Sequence, residues 1–189
     1  MKKLILASKS PRRQALLEQL HIPFTVKTGF VDESIIKEQD PIEKVKQLAF
    51  IKGRAIDIQP DEIVLAADTV VSLNNIIFEK PKDKQAAREM IRSLSDTTHH
   101  VYTGVSIRSA EDEYVFVEKT AVSFWKLSDE EIEQYIETKD PYDKAGAYGI
   151  QSLGAAFVKE IQGDYYNVVG LPLSRTVRAL KKFGFKHYY

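Results

Sequence analysis

Apolar positions recur along the chain at two spacings, and the switch between them marks the elements. Residues 3–7 form a short apolar run, and Ser10-Pro11 then offers an N-cap with proline at the first helical position. Ala15, Leu16, Leu17 and Leu20 continue as a helical stripe, so the opening predicts strand, tight loop and helix. A second strand is predicted over residues 24–28, ahead of the acidic loop Val31-Asp32-Glu33-Ser34. Asp40-Pro41 opens a longer helix with Val45, Leu48, Ala49, Ala55 and Ile56 on its inner side, and Gly53 is expected to interrupt it. Residues 63–67 form a continuous apolar run, the pattern of a strand buried on both faces, and Asp68-Thr69 stands where that run ends. Asn74-Asn75 predicts a hairpin between residues 69–73 and 76–78.

Farther on, Asp83 caps a helix carrying Ala86, Ala87, Met90, Ile91 and Leu94. Residues 101–108 and 114–125 predict two strands joined by a charged turn, and Ser128-Asp129-Glu130-Glu131 matches a capping box for a helix to about Glu137. The glycine-rich stretch 144–151 reads as loop, residues 155–161 as a late strand, and Leu171-Pro172-Leu173 leads into a terminal helix ending near Gly184. Strands and helices interleave and hairpins occur among them, so the class is α/β with a mixed sheet. No repeat and no separating linker breaks the 189 residues, which fit one domain, or two lobes sharing a core.

Composition narrows the function. The chain has no cysteine, which removes disulfides, thiolate metal sites and a cysteine nucleophile and is compatible with a reducing compartment. Lys plus Arg (27) equals Asp plus Glu (27), so no global field attracts a polyanion such as duplex DNA, and any anion site must be local. The basic-apolar head beginning at Met1 is too short for a signal peptide, and no window approaches the roughly 20 apolar residues of a membrane span.

Candidate chemistry is spread along the chain. Arg12 and Arg13 in a first helical turn oppose the helix dipole by about 0.3–1 kcal/mol each, and a bound phosphate chain would offset that. Ser8, Lys9, Arg12 and Arg13 are therefore either a phosphate grip or a solvated basic turn. Asp68, at the apparent carboxyl end of a buried strand, is placed to hold Mg²⁺ or orient a water, or is an ordinary polar strand end. Glu33 is a second possible metal ligand or an exposed loop residue, and Lys52 and Lys80 taken singly read as solvated lysines. His99-His100 do not read as a metal pair, because adjacent strand residues face opposite sides. Trp125 and most of the nine tyrosines read as packing.

In order along the chain, Leu6-Ala7-Ser8-Lys9-Ser10-Pro11-Arg12-Arg13, Ala67-Asp68-Thr69-Val70-Val71, Glu79-Lys80-Pro81, Tyr102-Thr103-Gly104-Val105, Asp143-Lys144-Ala145-Gly146-Ala147-Tyr148-Gly149-Ile150-Gln151 and Val168-Val169-Gly170-Leu171-Pro172 together resemble the Maf family. That family is named for septum formation in bacteria and is related to inosine triphosphate pyrophosphatases. The resemblance implies an elongated mixed sheet flanked by helices, in one domain spanning residues 1–189 with two lobes and a substrate cleft between them. It implies metal-dependent hydrolysis of a nucleoside triphosphate to monophosphate and pyrophosphate in the cytoplasm, by a homodimer, serving nucleotide-pool cleansing or restraint of septum formation. By matching position, Asp68 is the proton acceptor with Glu33 beside it at the metal, and Ser8, Arg13, Lys52 and Lys80 bind phosphate or assist catalysis. Arg12, Thr69 and Gln151 match the subtype acting on dTTP and UTP, a role that extends to modified pyrimidine nucleotides. A glutamine offers the acceptor and donors that meet the N3–H and O4 edge of uracil and thymine. Hard oxygen ligands favour Mg²⁺, with Mn²⁺ as the alternative. Two features depart from the family pattern: Lys9 where Arg is frequent, and Glu79 where Gly is frequent. The competing class is a nucleotide- or partner-binding regulator of cell division without turnover.

Overall fold

A computed structural model describes residues 2–186; Met1, at the head of the basic-apolar start, and residues 187–189 lie outside the described residues. In chain order the elements are β1 (Lys3–Leu6), α1 (Pro11–Gln19), β2 (Phe24–Val26), α2 (Pro41–Arg54), β3 (Glu62–Leu73), β4 (Ile76–Phe78), α3 (Lys84–Leu94), β5 (Thr98–Arg108), β6 (Glu113–Phe124), α4 (Asp129–Ile136), β7 (Val158–Gln162), α5 (Tyr165–Val169) and α6 (Leu173–Lys182). The strands form one open sheet in the order β2-β1-β3-β5-β6-β7, with β4 pairing β3 as a hairpin. β1 pairs β2 and β3 in parallel and the rest is antiparallel, the mixed sheet the interleaved pattern predicts.

Local chemistry fixes the helix starts. Ser10, Asp40, Asp83 and Ser128 each cap a helix by accepting a backbone N–H, and Ser128 completes a capping box with Glu131. Asn74 and Asn75 both take positive φ, 50° and 64°, which matches the twist of a two-residue hairpin.

Five expectations are corrected. β3 does not end at Ala67; it runs to Leu73, because β5 continues to pair with it through Ser72. Gly53 does not interrupt α2; a Cβ there would lie 3.0 Å from Ser106 Oγ, so the missing side chain lets the helix lie close on β5. Residues 153–157 form a 3₁₀ segment that buries Phe157, and the strand begins only at Val158. Ala15 faces solvent, while Leu16 and Leu17 are buried. β2 stops at Val26, short of residue 28, because β1 offers it no partner beyond Leu6.

Alternation along β3 divides the core between two faces of the sheet. Ile63, Leu65 and Ala67 pack with α1 and α6 residues such as Leu16, Leu17, Val177 and Leu180. Val64 and Ala66 face the other way and pack with Ile5 and Ile56. A separate core gathers α3, α4 and the far ends of β5 and β6 around Ile91, Leu94, Phe124, Ile132 and Ile136. By the same alternation Asp68 points to the side covered by α2, and Thr69 to the side covered by α5.

Candidate active site

The β1–α1 loop is built around one guanidinium. Arg13 Nε donates to the Gly170 carbonyl at 2.7 Å, Nη1 to Ser8 Oγ at 3.2 Å and Nη2 to Thr69 Oγ1 at 3.0 Å. Those bonds use three of its five N–H groups, leaving two for a ligand. Burial pushes the Arg13 pKa below its ordinary value, with Arg12 adding to the fall and Asp68 and Glu33 opposing it. Thr69 in turn shares a 2.9 Å hydrogen bond with Thr103, its cross-strand partner on β5. Arg12 reaches outward instead, and its Nη1 lies 2.7 Å from Asp143 Oδ2.

On the opposite face of β3, α2 delivers Lys52 between two carboxylates. Its Nζ stands 2.5 Å from Asp68 Oδ1 and 3.0 Å from Glu33 Oε1. Glu33 sits on a short 3₁₀ turn capped by Asp32, which explains how a residue from a loop is held at the site. Asp68 Oδ2 keeps its lone pairs, with no protein hydrogen bond among the described residues. Among those residues no group of three or more His, Asp or Glu side chains could enclose a metal. Two carboxylates are nevertheless enough for Mg²⁺, which keeps waters and takes further ligands from substrate phosphates.

Every residue named above for substrate or catalysis lines one cleft of about 910 Å³: Ser8, Arg12, Arg13, Glu33, Lys52, Asp68, Thr69, Lys80 and Gln151. Lys80 and Gln151 are exposed on its wall. Lys9 lines it too. Other lining residues were given no role by sequence reasoning. Lys44 is one, eight residues before Lys52 on the same helix face and paired with Glu79 at 2.6 Å; that i, i+8 spacing was the available signal. Asp143 and Lys144 are others, and their roles depend on irregular 3₁₀ turns that carry no periodicity. The lining holds seven Lys or Arg against four Asp or Glu, a local cationic excess in a chain of zero net charge. His99 is fully buried away from the lining, with Nε2 2.7 Å from the Tyr148 hydroxyl.

An open mixed sheet with a cation-rich cleft where its β1–α1 loop meets β3 defines the class: an α/β protein of the HAM1 architecture. A HAM1 protein from Coxiella burnetii superposes with a TM-score of 0.56 over 96% of this chain and 100% of that one, at 13% identity, a likeness of fold. The chain belongs to the Maf-like protein family, whose model matches residues 3–183. A dTTP/UTP pyrophosphatase of Halalkalibacterium halodurans is 54% identical over 98% of both chains. Another, of Bacillus cytotoxicus, is 52% identical over 97% of this chain and 96% of that protein.

Proposed function

We propose that the chain hydrolyses dTTP and UTP to the monophosphate and pyrophosphate in the cytoplasm, with Asp68 as the base. The observation that carries this reading is Lys52 bridging Asp68 and Glu33 while Asp68 Oδ2 stays unbonded, in the same cleft as the Arg13 loop. A water held against Oδ2 gives its proton to Asp68 as its oxygen bonds to the α-phosphorus. The bond from that phosphorus to the bridging oxygen breaks, and pyrophosphate leaves. Lys52 holds the two carboxylates in register and offsets part of their negative charge. Arg13 keeps two N–H groups for phosphate oxygens, and Lys80 and Lys9 add charge along the wall. Positioning and charge stabilisation of this kind are the larger part of catalysis in phosphoryl transfer. Mg²⁺ bound through Glu33, Asp68 and phosphate oxygens would neutralise developing negative charge when present. Gln151, with its side chain unbonded among the described residues, and Arg12 and Thr69 are assigned to base selection.

The test is a panel of dTTP, UTP, CTP, dCTP and GTP with Mg²⁺, read by the inorganic product released. Pyrophosphate from dTTP and UTP is expected, and Asp68→Asn should lower kcat by about 10²–10⁴-fold without loss of fold. Wild-type turnover by Asp68→Asn would falsify the mechanism. Orthophosphate as the product would make the protein a phosphatase, and silence across the panel would make it a binding protein.

A further inference from the structure

Arg12 and the 149–151 segment come from opposite ends of the chain, yet one continuous set of hydrogen bonds joins them. Arg12 Nη1 meets Asp143 Oδ2 at 2.7 Å, and Asp143 Oδ1 meets Lys144 Nζ at 2.7 Å. The same ammonium donates to the Asp140 carbonyl at 2.6 Å and to Asp140 Oδ1 at 3.2 Å. All three ammonium protons are thereby used inside the protein, although Lys144 lines the cleft. Asp140 Oδ2 then accepts from Ser152 Oγ at 2.9 Å and the Tyr135 hydroxyl at 2.9 Å, with the Gly154 N–H at 3.4 Å. Ser152 follows Gln151 directly. Gly149 completes the arrangement: a Cβ there would lie 2.6 Å from both Lys144 Cε and Ser152 Oγ, so the Lys144 chain runs where only glycine leaves room.

We propose that Asp140 and Lys144 are positioning residues for base selection, locking Arg12 and the turn bearing Gln151 into a single geometry. The physical reason is the distance tolerance of base-edge recognition. A base edge is read by hydrogen bonds that need donor and acceptor within a few tenths of an ångström, and long Arg and Gln side chains on separate elements do not hold that tolerance unaided. Asp140 and Lys144 are only 12% and 13% exposed, so their bonds are shielded from water, and the fixed charge of each is matched by the other. Lys144 is a strut between two carboxylates and takes no phosphate. The inference rests on the base-selecting role proposed above for Arg12 and Gln151.

The experiment measures kcat/KM for UTP and for CTP in the wild type, Gln151→Ala, Asp140→Asn, Lys144→Met and the double variant Asp140→Asn with Gln151→Ala. Gln151→Ala and Asp140→Asn are each expected to lower the UTP-to-CTP ratio by about tenfold or more, with the double variant no worse than Gln151→Ala alone. Lys144→Met leaves the Tyr135 and Ser152 bonds to Asp140 in place, so it covers the case in which Asp140→Asn does not fold, and it too should lower the ratio. If Gln151→Ala shifts the ratio while Asp140→Asn and Lys144→Met slow UTP and CTP by equal factors, those residues are merely structural and the positioning proposal is overturned. An unshifted ratio in Gln151→Ala overturns the base-selection reading itself, and the positioning role with it.

Discussion

Gly104 sits on β5 opposite Asp68 in the register, beneath α2. A Cβ there would fall 2.2 Å from the Val45 carbonyl oxygen, 2.5 Å from the Val45 carbonyl carbon and 3.0 Å from Lys46 N. All three are helix backbone atoms, so no side-chain rotation relieves the contact. Restoring ordinary van der Waals separation requires α2 to rise by about 1 Å or more. The same helix carries Lys52 to Asp68, so Gly104→Ala should strike stability and turnover together. Overpacking that moves backbone costs about 3 kcal/mol or more. For a chain of this size that is a fall in Tm of roughly 6–12 °C, and an active-site displacement near 1 Å costs about 10²-fold in kcat/KM. Thermal unfolding followed by circular dichroism and pyrophosphate release from UTP read both effects. Gly184→Ala is the control: it has φ of +79° with nothing within 4 Å, so it should cost about 1 kcal/mol of backbone strain and leave kcat/KM unchanged. If Gly104→Ala unfolds within about 2 °C of wild type and keeps its turnover, the close approach of α2 is not what seats Lys52.

Three further outcomes are expected. Arg13→Lys replaces a fork that spans Ser8, Thr69 and Gly170 with a point charge, so kcat/KM should fall by about 10²-fold or more; retention of activity would show that charge alone suffices. His99, pushed down to about 3 by burial and by its neighbour His100, stays neutral in the fold while the unfolded chain takes up a proton below about pH 6.5. Stability therefore falls with acidification by up to about 1.4 kcal/mol per pH unit between those values. Urea unfolding at pH 7 and pH 5 should show that slope in the wild type and a shallower one in His99→Gln; parallel slopes would remove His99 as the cause. Chelation by EDTA should stop pyrophosphate release and added Mg²⁺ should restore it, whereas turnover that survives chelation would leave Glu33 and Asp68 without a metal to hold.

Features set by neighbours in sequence were readable from the sequence. The caps at Ser10, Asp40, Asp83 and Ser128 depend on a side chain reaching an N–H two or three residues on, and each stands where its pattern predicts. The Asn74-Asn75 turn is equally local. What failed depended on partners far away in sequence. β3 looked finished at Ala67 because a carboxylate follows, but the ladder to β5 does not require an apolar side chain to continue. That same extension makes the site. With Asp68 and Thr69 inside a regular strand, the alternation of side chains sends one to Lys52 beneath α2 and the other to Arg13 and Gly170 beside α5. Two adjacent residues thus reach Lys52 and Arg13 from opposite faces of one sheet, a geometry that a strand ending at Ala67 could not hold.

The Lys144 strut was the least legible part. Its sequence, Asp140-Pro141-Tyr142-Asp143-Lys144, has the composition of a solvated turn, and nothing in it says that the lysine is spent on its own loop. Only the fold supplies that fact, by folding residues 149–154 over Asp140 and leaving at Gly149 the space through which the lysine passes. A cation-rich cleft therefore overstates the charge free to meet a ligand. Of the seven cations lining it, Lys144 has all three ammonium protons in use, Lys44 is paired with Glu79, and Arg12 is paired with Asp143. Lys52 is likewise paired, with both Asp68 and Glu33, so the charge left for a polyphosphate is that of Lys9, Arg13 and Lys80.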